Sequence, residues 1–254
     1  MVVSDSGAVG VTMAGVGPGD PALLTVAAVQ AISAAETVAY PVARADAPSM
    51  ALGIAAPWLS DTQRRLPLVF PMVSEPEPRL SAWSAAADAL AGEVTQRRSV
   101  VLLCEGDASL YSSCSYALLA LERRHPSCPV RVIPGISAVS AAAAAASSQR
   151  LPWPLVLQQE HLLIRPAPQR PELLEPLLAR AAAEDTVLAL LKLGRHWRWL
   201  RPLLERRGLL EASLFARRVG WPDQLLAPAS AVPPGEQPYF SLLLIRQSWP
   251  GVLP

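Results

Sequence analysis

The stretch VGVTMAGVGPGDPALLT, residues 9–25, decides how the whole chain is read. Val9, Val11 and Met13 alternate with small residues, which predicts a short first strand. Gly15, Gly17 and Gly19 follow, with Pro18 between the last two. Leu23, Leu24, Val26, Ala27 and Ile32 then recur at helical spacing, with Asp20 or Thr25 as cap and Pro21 suited to a first turn. The unit is strand, glycine turn, helix. Such a turn brings bare backbone close to a ligand, or is simply a tight βα connection. Its spacing is Gly-x-Gly-x-Gly, not the Gly-x-Gly-x-x-Gly of a dinucleotide site. A ribose-binding acid is expected about 20 residues on. The second strand, residues 37–40, instead runs into Tyr40-Pro41. Both departures point away from NAD, and from Rossmann-type methyltransferases that need a similar acid.

Working outward, Ser49 caps a helix from Met50 to about Leu59. Residues 64–72 (RRLPLVFPM) are extended and broken by prolines, an edge strand or a loop. Glu75-Pro76-Glu77-Pro78 reads as a turn or linker before an alanine-rich helix over 80–96, with Trp83, Leu90 and Val94 on one face. SVVLLC, residues 99–104, is an unbroken apolar run, the mark of a strand covered on both faces of a parallel sheet. A helix is predicted over 111–124, a strand over 130–133 and an alanine helix over 137–148. Alternating strand and helix argue an α/β domain, residues 1–149. RLPWP (150–154) is the linker to a second α/β domain, residues 150–254, with a mixed sheet. Its strands are predicted at 161–164, 186–191, 214–218 and 240–246, and its helices at 171–183 and 196–208, the latter closed by Gly208.

The chain has 254 residues, 51% hydrophobic and 17% charged, enough for one large or two modest domains. No apolar run is long enough for a membrane span, and the N-terminus shows no basic segment followed by an apolar one, so no signal peptide is expected. A net charge of +1 gives no global field for nucleic acid. Cys104, Cys114 and Cys128 lack metal-ligand spacing, so no metal is expected, and an odd, unpatterned set fits reduced thiols in a cytoplasm. His125, His161 and His196 are scattered, and Ser109 is not in Gly-x-Ser-x-Gly, so no nucleophile triad is assembled.

Chemistry is expected instead at the carboxyl ends of strands, where open α/β sheets bind ligands. Glu105-Gly106-Asp107-Ala108-Ser109-Leu110-Tyr111 follows the buried strand and offers bare amides and a carboxylate, or a turn capped by Asp107 or Ser109. Pro134-Gly135-Ile136-Ser137-Ala138 is either a small-residue wall for a flat ligand or a helix start capped by Ser137. Lys192-Leu193-Gly194-Arg195-His196 places two cations after a strand, able to hold carboxylates or simply solvated. Four such turns in order, counting the opening one, predict a small-molecule cleft.

In order, GVGPGDP (15–21), VAYP (38–41), EGDASLYS (105–112), VIPGISA (132–138) and KLGR (192–195) resemble the tetrapyrrole methylases, S-adenosylmethionine-dependent enzymes of corrin and sirohaem synthesis. The finer likeness is to their precorrin-2 C20-methyltransferase branch. It rests on Tyr40-Pro41-Val42, Ser49-Met50-Ala51-Leu52, Phe70-Pro71-Met72, Trp83, Gly208-Leu209-Leu210, Asp223-Gln224 and Pro238-Tyr239-Phe240-Ser241. The resemblance spans about residues 9–246. It implies two α/β domains with a cofactor cleft between them, a homodimer and a tetrapyrrole substrate methylated at C20. Alternatives within that likeness are cobalt-factor II as substrate, a methylase of another ring carbon, a diphthine synthase, or a non-catalytic tetrapyrrole-binding paralogue.

By resemblance, S-adenosylmethionine would be bound by Gly106, Asp107, Ala108, Tyr111, Ser137, Ala138, Leu193, Leu214, Phe215, Ala216, Tyr239, Phe240 and Ser241. Gly17, Pro18, Gly19 and Asp20 would border the tetrapyrrole, and Arg44, Lys192 and Arg195 would receive its carboxylates. The ring carbon is already nucleophilic, so alignment and exclusion of water carry the rate and no triad is needed. Asp107, Glu105 and Tyr111 are the candidates to take the released proton. Two departures stand out. Ala108 replaces the proline of Gly-Asp-Pro, and Val219-Gly220-Trp221-Pro222 replaces an Ala-Thr-Met-like segment. Proline would fix φ and remove a donor, so the alanine turn is expected to be less rigid.

Overall fold

The computed structural model describes residues 9–73, 75–151 and 153–251. Residues 1–8, part of the N-terminus on which the signal-peptide expectation bears, and Pro152 of the expected linker lie outside the described residues. The chain divides into two compact units, residues 1–137 and 138–254. The division precedes the alanine helix, whereas the sequence places it at 149/150. The reason is that this helix, α5 (Ala138–Ser148), packs against β9 (Leu225–Pro228) of the second unit.

The first unit is built on one parallel sheet of β1 (Val11–Gly15), β2 (Thr37–Val42), β3 (Arg64–Val69), β4 (Val100–Cys104) and β5 (Val130–Ile133), in the order β3-β2-β4-β1-β5. β4 is buried at every residue, as its unbroken apolar run requires. β3 takes an edge, where Pro67 costs no ladder bond to a further strand. Both proposed caps are used. Asp20 accepts from the Ala22 amide at 2.8 Å ahead of a short 3-10 turn, and Thr25 accepts from Ala28 at 3.1 Å to open α1 (Val26–Ala34). Ser49 likewise caps α2 (Met50–Ala55).

The Glu-Pro-Glu-Pro segment is not a linker. α3 (Pro76–Thr95) starts there, because proline at the first helical position loses no needed donor and Glu77 suits the positive end of the helix. α4 (Cys114–Arg124) starts three residues later than the sequence suggests, since Tyr111 sits at φ +54° and breaks the helical path. The two helices pack side by side through Trp83 stacked on Tyr116 at 4.3 Å and Asp88 bridged to Arg124 and His125. Beneath them, Glu93 is buried and held by Thr37 Oγ1 at 2.7 Å, Arg98 at 2.7 Å and Arg64 at 3.2 Å.

The second unit has the expected mixed sheet, ordered β6 (His161–Pro166), β7 (Thr186–Leu191), β10 (Ser241–Ile245), β8 (Ser213–Arg217), β9. β6 and β7 are parallel, and β10 runs antiparallel to both β7 and β8. α6 (Glu175–Ala183) and α7 (Trp197–Arg206) cover one face around Leu178, Leu190, Trp197, Leu200 and Phe215. Gly208 closes α7 at φ +66°. β9 escaped the sequence reading because four residues that end in Pro228 give no periodicity.

Candidate active site

In the first unit all strands are parallel, so the turns after β1, β2, β4 and β5 leave the same end of the sheet. Three of them are knitted together through bare backbone. The Val16 amide donates to the Cys104 carbonyl at 2.9 Å and the Gly17 amide to the Gly106 carbonyl at 3.0 Å. A Cβ on Gly15 would stand 2.6 Å from the Gly135 nitrogen, and one on Gly17 would stand 2.7 Å from both the Gly106 nitrogen and the Ile136 carbonyl. The glycines of the opening stretch therefore serve the approach of turn to turn. The Gly17–Pro18 peptide is cis.

Asp107 binds two of these turns to each other. Its Oδ2 accepts from the Gly135 amide and its Oδ1 from the Ser109 amide, each at 2.9 Å, and the Ser109 hydroxyl also donates to Oδ1. Burial works to raise its pKa, but these bonds, led by Ser109, outweigh burial and hold the carboxyl below the usual aspartate range. Ala108 is fully buried in the core, and its carbonyl accepts from Ser115 Oγ at 3.1 Å. Packing and that bond thus anchor the position at which a proline ring would have stiffened the turn.

Gly106 differs from the other glycines. It lies at φ +71°, and a Cβ there would meet nothing within 4 Å. The turn therefore presents open backbone on that side. Glu105, half-buried beside it, has its pKa raised by burial, against the opposing pull of backbone amides at Glu105 itself and at Ala51 near the start of α2. Tyr111 is exposed at the end of the same segment, and Ser137 and Ala138 are half-buried past β5. Arg44 is exposed beyond the end of β2.

In the second unit the turns after β7 and β8 meet the start of β10. The Leu193 amide donates to the Ser241 carbonyl at 3.2 Å, the Gln237 amide to the Gly194 carbonyl at 3.1 Å and the Arg218 amide to the Phe240 carbonyl at 2.8 Å. Lys192, Leu193, Tyr239, Phe240 and Ser241 are thereby brought together, with Lys192 Nζ 5.5 Å from the centre of the Tyr239 ring. Ala216 lies one residue inside the end of β8, opposite Leu242. Leu214 sits deeper in the strand, opposite Leu244, away from the turns. The side chains of Leu193 and Phe215 belong to the core under α6 and α7, Phe215 packing on Trp197 at 5.1 Å. Arg195 is exposed in a short 3-10 turn before α7.

Sequence reading missed Arg218, whose backbone is left-handed at φ +48°, a conformation no residue type at that position announces. Among the described residues, no group of three or more His, Cys, Asp or Glu side chains could hold a metal ion.

Comparison with known proteins meets this geometry. The family model for tetrapyrrole (corrin/porphyrin) methylases matches residues 10–231. Cobalamin biosynthesis protein CobIJ of Mycobacterium tuberculosis is 34% identical over 239 residues, which cover 91% of this chain but only 44% of that relative. The chain thus spans about half the length of that relative. Precorrin-2 C(20)-methyltransferase of a Sinorhizobium species is 30% identical over 239 residues, covering 91% of this chain and 92% of that one. The crystal structure of uroporphyrin-III C-methyltransferase from Thermus thermophilus, complexed with S-adenosylhomocysteine, superposes with a TM-score of 0.58 at 20% identity. It covers 93% of this chain and 97% of that one, and shows a shared fold. The chain belongs to the tetrapyrrole (corrin/porphyrin) methylases.

Proposed function

We propose that this chain is an S-adenosylmethionine-dependent C-methyltransferase acting on C20 of precorrin-2 in corrin ring synthesis. The observation that carries the reading is the end-to-end match, within the family, to a relative named for that activity. The first unit supports it. A left-handed glycine with open space where a Cβ would stand, beside turns locked by Asp107, is a backbone cradle suited to a bulky cofactor.

When bound, S-adenosylmethionine supplies an electrophilic methyl group. Gly106, Asp107, Ala108, Tyr111 and Ser137 of the first unit would hold it, with Ala138, Leu193, Leu214, Phe215, Ala216, Tyr239, Phe240 and Ser241 of the second. Asp107 acts by fixing the turn, since both its oxygens already accept bonds. The Gly17 to Asp20 turn would border the tetrapyrrole, with Arg44, Lys192 and Arg195 receiving its carboxylates as charge-assisted pairs. Of the three candidates for the C20 proton we favour Glu105. Its raised pKa makes it the better base, whereas Asp107 is held as the anion. We further propose a homodimer in the cytoplasm, where Cys104, Cys114 and Cys128 would stay as the free thiols found here.

The test is incubation of the purified protein with precorrin-2 and methyl-labelled S-adenosylmethionine. One label per macrocycle, placed at C20 by NMR, is expected. Label on another carbon makes it a different methylase of the family. Macrocycle binding without label makes it a non-catalytic paralogue. Competition with cobalt-factor II decides the metal state of the preferred substrate.

A further inference from the structure

We propose that Arg218 is a specificity-determining residue that grips one carboxylate of a polycarboxylate ring while Lys192, across the same strand, takes a second. This rests on the tetrapyrrole reading above. β10 lies between β7 and β8 and runs antiparallel to both, so Lys192, directly after β7, and Arg218, directly after β8, emerge at one end of the sheet. Two strand spacings separate them, which puts their backbones roughly 10 Å apart. Both residues are left-handed, Lys192 at φ +59° and Arg218 at φ +48°. That conformation turns the chain sharply at the end of each strand.

The segment that departs from the family pattern builds the Arg218 side of this fork. The guanidinium lies over Trp221 at 4.9 Å from the ring centre, and its Nε donates to Asp223 Oδ1 at 2.8 Å. The loop is braced from within. The Trp221 amide donates to the Arg218 carbonyl, the Gln224 amide to the Trp221 carbonyl and the Gly220 amide to Gln224 Oε1, each at 3.0 Å. One edge of the guanidinium is thus used to fix its orientation. The two terminal nitrogens make no bond among the described residues, on a side chain 31% exposed. A fixed guanidinium with its fork open is the geometry that pairs with a planar carboxylate. Tyr239, whose ring centre is 5.5 Å from Lys192 Nζ, and Phe240, whose carbonyl accepts from the Arg218 amide, are 44% and 42% exposed, with rings crossed at 5.2 Å. Two cations with exposed apolar rings beside them match a flat macrocycle that carries acidic arms on its rim.

The experiment measures binding of a uroporphyrin octacarboxylate by fluorescence at several salt concentrations, in wild type, R218Q, R218K and K192Q. Affinity for S-adenosylhomocysteine is followed by calorimetry as the control. R218Q should weaken macrocycle binding about tenfold or more and flatten its salt dependence. Cofactor affinity should hold, and R218K should recover part of the loss. With precorrin-2, KM should rise in R218Q while kcat stays within about twofold. Should R218Q not fold, R218K must still bind measurably more weakly than wild type. Macrocycle affinity in R218Q equal to wild type overturns the fork and leaves the methyltransferase reading standing. Arg218-dependent binding in a wild type that transfers no methyl group sinks that reading and keeps the fork. Absence of binding in wild type sinks the fork.

Discussion

Glu105 and Asp107 stand two residues apart after the same strand, yet their surroundings push their acidities in opposite directions. Burial dominates at Glu105, so its carboxyl holds a proton to higher pH than an ordinary glutamate. As the base, it works only when deprotonated, so kcat should fall as pH drops through that raised pKa. Glu105→Gln should lower kcat about a hundredfold or more and flatten this limb, with cofactor affinity unchanged by calorimetry. A kcat and profile equal to wild type would remove Glu105 from the chemistry. At Asp107, donors from Ser109, Gly135 and Leu110 win over burial and depress the pKa. A depressed carboxylate stabilises the fold above its unfolded pKa, and that contribution is lost as pH falls through the folded one. Asp107→Ala strands the Ser109 and Gly135 amides, so it should cost about 1–3 kcal/mol in urea unfolding at neutral pH. The gap to wild type should shrink in acid. A gap independent of pH would contradict the clasp.

At the level of elements, three glycine turns carry the architecture of the first unit, and two kinds of glycine can be told apart by mutation. Gly17 has no room, since a methyl group would press on the Gly106 nitrogen and the Ile136 carbonyl at 2.7 Å. Gly106 has room but a left-handed backbone. Gly17→Ala should therefore destabilise by about 1–3 kcal/mol or more through backbone displacement. Gly106→Ala should cost about 1–2 kcal/mol from φ alone, while weakening S-adenosylhomocysteine binding more than its stability loss explains. Equal effects of the two changes on both readouts would erase the distinction. The strand–turn–helix unit at residues 9–25, the buried run at 100–104 and the caps Thr25 and Ser49 were legible in the sequence, because period, turn chemistry and capping are local. The start of α3 at Pro76, the late start of α4 and the short β9 were not. Proline reads equally as turn or first helical residue, and left-handed backbone at Tyr111 or Arg218 is imposed by tertiary contacts. For the same reason the motif glycines pointed to the right turns while leaving open which of them pack and which stay open.

At the scale of the molecule, the residues proposed for the cofactor fall in both compact units, Gly106 to Ser137 in the first and Ala138 to Ser241 in the second. In each unit most of them lie at strand ends already tied by backbone bonds, Gly17 to Gly106 in the first and Leu193 to Ser241 in the second. A ligand that binds only the native arrangement raises the free energy of any opening that breaks its contacts, by RT ln(1 + [L]/Kd), about 2.7 kcal/mol at a hundredfold excess over Kd. Local openings report that energy amide by amide in hydrogen exchange. With S-adenosylhomocysteine at that excess, exchange should slow up to about a hundredfold at residues 106–111 and, in parallel, at 193–194, 216–218 and 239–241. The starts of β6 and β7, at His161 and Thr186, lie at the opposite end of the sheet from those turns and should exchange as in the free protein. Protection limited to the first unit would mean that the second contributes nothing to cofactor binding. The assignment of Leu193, Ala216 and Tyr239 would then fail, while Gly106 and its neighbours would still describe a complete site. Protection in the second unit alone would instead remove the Gly106 cradle from the cofactor.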